Sequence, residues 1–141
     1  MCYVLAGYKS FLYSVVFARL AKFLDEDIDV CIISSGMYSK ELSHICEEHD
    51  WSYLSIKKNN VSLAQNTVIR LHPSAEFIYK LDEDIFVTAG YFKKIYDGYN
   101  EMINDSDYIP GIISPLIPIN GYCYLRVLDR LNLREYYTEN F

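Results

Sequence analysis

The stretch Phe77-Ile78-Tyr79-Lys80-Leu81-Asp82-Glu83-Asp84-Ile85-Phe86-Val87 sets two aspartates one residue apart between two apolar, β-prone runs. Side chains two apart on a strand point to the same side. If the strand ends here, Asp82 and Asp84 are expected to face one point in space. A hard divalent cation suits that arrangement, because it takes oxygen ligands and often uses one or two protein carboxylates plus substrate phosphates. A lone Asp-x-Asp is more commonly a solvated turn. Here the apolar flanks leave few polar residues to hold the segment at the surface, and unpaired carboxylates are costly to bury. The pair therefore reads as a metal–diphosphate site and points towards a transferase.

Before this stretch the chain alternates strand and helix. Residues 3–6 form an apolar run ending at Gly7, and Ser10 is placed to cap a helix carrying Leu12, Val15, Val16, Leu20, Phe23 and Leu24 at helical spacing. Residues 29–33 read as a second strand stopped by Ser34-Ser35-Gly36, and residues 40–48 as a second helix with Leu42, Ile45 and Cys46 inward. A third strand is expected over 51–56, and a third helix over 63–71 ended by His72-Pro73. Residues 77–81 are then the fourth strand. Phe92, Ile95, Tyr96, Tyr99, Met102 and Ile103 make the stripe of a fourth helix.

This order predicts an α/β protein with a mostly parallel sheet and helices on both faces. Ligands of such sheets bind beyond the carboxyl ends of the strands. Gly7-Tyr8-Lys9, Ser34-Ser35-Gly36, Lys57-Lys58 and Asp82-Glu83-Asp84 all fall at those ends. Residues 108–122 carry three prolines and two glycines among apolar residues, which suits an edge strand or packed loop. A short helix is expected over 125–133, with no terminal element after it. The chain reads as a single domain over 1–141, with an alternating core over 1–104 and a Pro/Gly-rich extension over 105–141.

Composition limits the function classes. Of 141 residues 51% are hydrophobic and 23% charged, so a packed core rather than a disordered chain is expected. The formal net charge of −6, without a Lys/Arg stripe, argues against nucleic acid. No basic leader precedes the first strand, and no apolar run reaches the ~18–20 residues that span a bilayer. The four cysteines lack C-x-x-C spacing; Cys2 and Cys31 fall in expected strands, Cys46 on an apolar helical stripe and Cys123 after Gly121, as expected of reduced, buried thiols. His44, Cys46 and His49 do not share a helical face, so no zinc site is expected there.

The order of elements, closed by Lys80-Leu81-Asp82-Glu83-Asp84-Ile85-Phe86-Val87, resembles the nucleotide-sugar-binding half of GT-A glycosyltransferases, most nearly the family 2-like bacterial enzymes. The resemblance covers residues 2–125. It implies a Rossmann-like GT-A architecture and a Mn²⁺ or Mg²⁺ ion bridging the diphosphate of a nucleoside-diphosphate sugar. Asp84 would be the direct metal ligand, and Asp82 would meet the ribose or the metal. Leu5-Ala6-Gly7-Tyr8-Lys9 stands in place of the family's P-x-Y-N stretch, which puts Ala6 and Tyr8 near the nucleobase. Leu63-Ala64-Gln65-Asn66 resembles its A-R-N stretch, with Asn66 at the donor and Gln65 where arginine is usual. Ser34-Ser35 replaces the usual base-reading aspartates, leaving Ser35 as the donor contact.

The implied reaction moves a sugar to a glycan, lipid-linked or protein hydroxyl, as in bacterial polysaccharide synthesis. The cytoplasm, or the inner face of the membrane, is the implied location. Little chain follows Asn120-Gly121, so no acceptor base is assigned; Glu135 and Glu139 are available for that role. A fragment of a longer enzyme, or a shortened donor-binding domain without efficient transfer, fits this length. One rival is a haloacid-dehalogenase-like phosphatase, whose D-x-D normally ends the first strand and precedes Gly-Thr. Another is a non-catalytic nucleotide-sugar-binding domain.

Overall fold

Cys2–Ala6 carries no charged side chain and forms the strand β1. The computed structural model, which describes residues 1–105, 109–115 and 121–140, places β1 inside a four-stranded sheet of order β3-β2-β1-β4. Its partners are β2 (Val30–Ser35) and β4 (Tyr79–Asp82), and β3 (Ser52–Ile56) lies outside β2. Every pairing is parallel. Leu5 sits level with Ile33 on one side and Asp82 on the other, which fixes which strand ends meet.

The connections are α1 (Tyr13–Phe23), α2 (Lys40–Glu48) and α3 (Val61–Leu71). Alternation along the strands divides the core in two. Cys2, Val4, Ala6, Val30, Ile32 and Leu81 face Val16, Phe17 and Leu20 of α1 and Leu42 and Cys46 of α2. Tyr3, Cys31 and Ile33 face Ala64 and Val68 of α3. Helices thus cover both faces, and β1 and β2 read as nearly continuous apolar runs because both their sides are buried. Crossovers of one hand put the helices of an outward-stepping sheet on one face and the helix that steps back on the other. The step from β3 back past β1 to β4 is the one made by α3. The architecture is Rossmann-like α/β.

Met1–Lys94 and Ile95–Phe141 are two compact units, with their boundary inside α4 (Tyr91–Asp105). In the first unit, Phe92 is buried and packs edge-on against Tyr79 and Tyr91. In the second, α5 (Gly121–Arg130) ends in a Schellman turn. Asn132 is left-handed at φ 54°, and the Leu133 N–H reaches Leu128 O at 2.9 Å. There α6 (Arg134–Asn140) begins, with Arg134 forked onto both Asp129 oxygens at 2.8 and 3.0 Å.

Several boundaries differ from the sequence expectation. The second strand runs through Ser34 and Ser35 instead of stopping at Ile33. Ser34 Oγ donates to Met37 O at 2.6 Å and bonds Tyr53 OH at 2.8 Å, so a buried serine is satisfied within a strand. Gly36 ends the strand with φ +80°. Ser10 does not cap α1 but opens a 3₁₀ turn over Ser10–Leu12, closed by Leu12 N–H to Lys9 O. The third helix starts two residues early, capped by Asn60, whose Oδ1 accepts the Leu63 N–H at 2.8 Å. The terminal helix α6 was not expected. Of the expected edge strand or packed loop, residues 109–115 form neither strand nor helix, and Ile109 and Ile112 are exposed. Residues 106–108 and 116–120 lie outside the described ones. No helix among the described residues is long and apolar enough to cross a membrane.

Candidate functional site

The strand order reverses between β1 and β4, where β1 leads outward to β2 and β4 is reached by the return crossover. That switch point is where open α/β sheets hold their ligands. A cleft of about 290 Å³ lies there. It is bordered by Ala6 at the end of β1 with Tyr8 and Lys9 after it, Ser35 at the end of β2, Asn59 before α3, and Asp82 at the end of β4 with Glu83 and Asp84 after it. Of the expected site residues, Ala6, Tyr8, Ser35, Asp82 and Asp84 come together. Asn66 stands exposed on α3, outside the cleft lining. Lys57 and Lys58 are exposed and outside it too.

The acidic triplet is not a continued strand. β4 ends at Asp82, and the chain turns, with the Ile85 N–H bonded to Asp82 O at 3.1 Å. Strand alternation therefore does not set the direction of Asp84, although both aspartates border the cleft. The turn gives the three acids three different partners.

Glu83, which the sequence reading left without a role, is the buried one at 8% exposure. Its Oε2 accepts the Gly7 N–H at 2.6 Å, and its Oε1 accepts the Tyr8 and Lys9 N–H groups at 3.2 Å each. Its own N–H reaches Leu5 O at 3.2 Å, extending the β1–β4 ladder by one bond. Gly7 allows this approach, since a Cβ there would stand 3.3 Å from Oε1. Beneath the turn, the Tyr13 hydroxyl donates to Gly7 O at 3.0 Å. Burial first, and the Glu83 charge second, push that phenol above its ordinary range.

Asp84 pairs with the Lys9 ammonium across the cleft. That hydrogen bond holds the Asp84 carboxyl below its usual range and raises the Lys9 amine. Asp82 accepts from Lys80 Nζ at 2.6 Å. The Asp82 and Asp84 side chains remain 45% and 38% exposed, so both stay within reach of a ligand. Tyr8 is 69% exposed at the rim, and Asn59 Nδ2 reaches its hydroxyl at 3.4 Å. On the other side, Ser35 Oγ accepts the Asn60 N–H at 2.9 Å, tying the end of β2 to the start of α3.

No family model matches this chain, and no curated protein matches it. Among the described residues no group of three or more His, Cys, Asp or Glu side chains is placed to hold a metal, and every buried side-chain polar atom has a partner. Two accessible carboxylates bordering one cleft do fit a hard ion that takes its remaining ligands from water and phosphate. Such an ion would compete with Lys9 and Lys80 for those oxygens.

Free thiols at Cys2, Cys31 and Cys46 are buried, as their apolar positions suggested. The Cys123 side chain lies outside the described residues.

Proposed function

We propose that the chain binds a nucleoside-diphosphate sugar at the switch-point cleft with Mn²⁺ or Mg²⁺, and serves sugar transfer to a hydroxyl acceptor. One observation carries this reading. An exposed aromatic ring, an ammonium and two accessible carboxylates, drawn from the ends of β1 and β4, border the same cleft. Each suits one part of such a donor. The Tyr8 ring offers a face for a nucleobase, and the exposed Asn59, next to the buried Ser35 that ties β2 to α3, offers hydrogen bonds to the nucleoside. Asp82 and Asp84 offer oxygens to the cation, and Lys9 offers positive charge near the phosphates. The cation, when bound, neutralises charge on the departing nucleoside diphosphate.

The acceptor is proposed as a glycan, lipid-linked or protein hydroxyl, and the setting as the cytoplasm or the inner face of the membrane. Three buried thiols suit a reducing compartment. Isothermal titration of UDP, GDP and their sugars, with and without Mn²⁺, tests the donor reading. Metal-dependent binding that is lost in Asp84→Ala is expected. Binding indifferent to both metal and Asp84 removes the reading.

A second reading has its own support. Both aspartates already hold a lysine, so they also suit a binding domain whose acidic pair organises charge and performs no transfer. Hydrolysis of the donor sugar by the purified chain separates the two, since turnover excludes a purely binding role.

A further inference from the structure

Consecutive main-chain N–H groups at the end of a strand are a common receptor for phosphate in nucleotide-binding α/β proteins. Here Gly7, Tyr8 and Lys9 supply three such donors, and an anion from the chain itself already sits on them. We propose that Glu83 determines how this cleft takes a diphosphate. With the amides filled by its carboxylate, phosphate is excluded from the β1 turn and is held only through a cation at Asp82 and Asp84. The inference rests on the donor-site reading above.

Three features support it. Both Glu83 oxygens are used and its backbone is pinned to Leu5, so the carboxylate is a fixed occupant rather than a passing one. Gly7 has no side chain to hold the carboxylate off, and the shortest bond of the three is the one to its amide. At the cleft three carboxylates, Asp82, Glu83 and Asp84, meet two ammoniums, Lys9 in the lining and Lys80 on Asp82, which leaves one negative charge in excess. A bare phosphate therefore meets like charge as well as occupied donors. A divalent cation reverses the sign at the two accessible acids and leaves Glu83 in place.

The test uses the full chain, with inorganic pyrophosphate as the probe, followed by titration calorimetry and amide NMR. In the unmodified protein, pyrophosphate without metal is expected to leave the Gly7, Tyr8 and Lys9 amide resonances unshifted. Glu83→Ala frees the amides. It is expected to bind metal-free pyrophosphate at least about tenfold tighter than the parent, the size of one charge-assisted hydrogen bond, with those three resonances moving. Glu83→Gln still covers the turn but removes its charge, so a smaller gain in the same direction is expected. The proposal is overturned if metal-free pyrophosphate shifts the three amides of the parent. It is equally overturned if folded Glu83→Ala gains no affinity, or, should that variant not fold, if Glu83→Gln gains none. Failure of the donor reading looks different: the parent then binds no UDP or GDP with Mn²⁺, while Glu83→Ala still gains metal-free pyrophosphate.

Discussion

Glutamine at position 83 would keep the shape of the side chain, remove its charge, and turn an amide N–H₂ towards one of the three backbone donors it now serves. Hydrogen bonds to a charged group contribute about 1.5–3 kcal/mol each, so Glu83→Gln is expected to lower the unfolding free energy by about 2 kcal/mol. Urea denaturation measures this, and an unchanged midpoint would mean that the carboxylate is not seated on the β1 turn. Asp84 makes the contrast. Its ion pair with Lys9 is open to water, and such pairs contribute little. Asp84→Asn should leave the urea midpoint near that of the parent while weakening metal-dependent nucleotide binding. One acid of the triplet is thus built into the fold, and the proposed function gives the ligand to its neighbour. Gly36 is a second residue where geometry decides. Its φ of +80° and a Cβ only 2.6 Å from Asn59 Cβ make Gly36→Ala both strained and clashing. A loss of about 2 kcal/mol or more is expected in the same assay. Because Asn59 borders the cleft, nucleotide binding should weaken with it.

The elements that sequence predicts best are those whose causes are local. The second helix is delimited by Ser39, whose Oγ accepts the Leu42 N–H at 3.2 Å. It is closed by a turn in which Asp50 is left-handed and the Trp51 N–H reaches Cys46 O at 2.8 Å. Strands β1 and β2 are legible because both their faces are buried. What escaped the sequence depends on partners far along the chain. Ser34 and Ser35 read as a stop because the hydroxyl of Tyr53, which satisfies Ser34, arrives only when β3 pairs. Glu83 looked like the spacer of an acidic pair because its donors lie 74 to 76 residues away. Asn60 is different: it is a good cap residue immediately before α3, so the signal for that helix start is local and stands in the sequence. Removing that cap in Asn60→Ala is expected to cost about 1 kcal/mol in thermal or urea unfolding. A cost near zero would show that the Asn60 side chain does not hold the first turn of α3.

Across the Met1–Lys94 unit, the order β3-β2-β1-β4 places two strands inside the sheet and two at its edges. Cys2 lies in β1 and Cys31 in β2, whereas Cys46 lies on α2, with its thiol 3.7 Å from Ser52 O at the start of the edge strand β3. Burial raises all three thiols, to about 12 for Cys2 and Cys46 and about 11 for Cys31. At pH 8 almost none of each is thiolate, and the thiolate is the reactive form. Alkylation by iodoacetamide must therefore wait for the structure to open. Openings range from local fraying at edges to global unfolding, so the position of a thiol determines which opening exposes it. Cys46 needs only α2 to lift from the edge of the sheet. Cys31 needs the separation of strands paired on both sides of β2. Among these three thiols, peptide mapping by mass spectrometry in low urea should find Cys46 labelled first. Cys2 and Cys31 should follow together, at a rate that tracks global unfolding. Equal rates for Cys31 and Cys46 would show that α2 and the inner strands open as one cooperative unit. Labelling of Cys31 at the rate of a free thiol would contradict the central position of β2, and with it the sheet order that brings the ends of β1, β2 and β4 to one cleft.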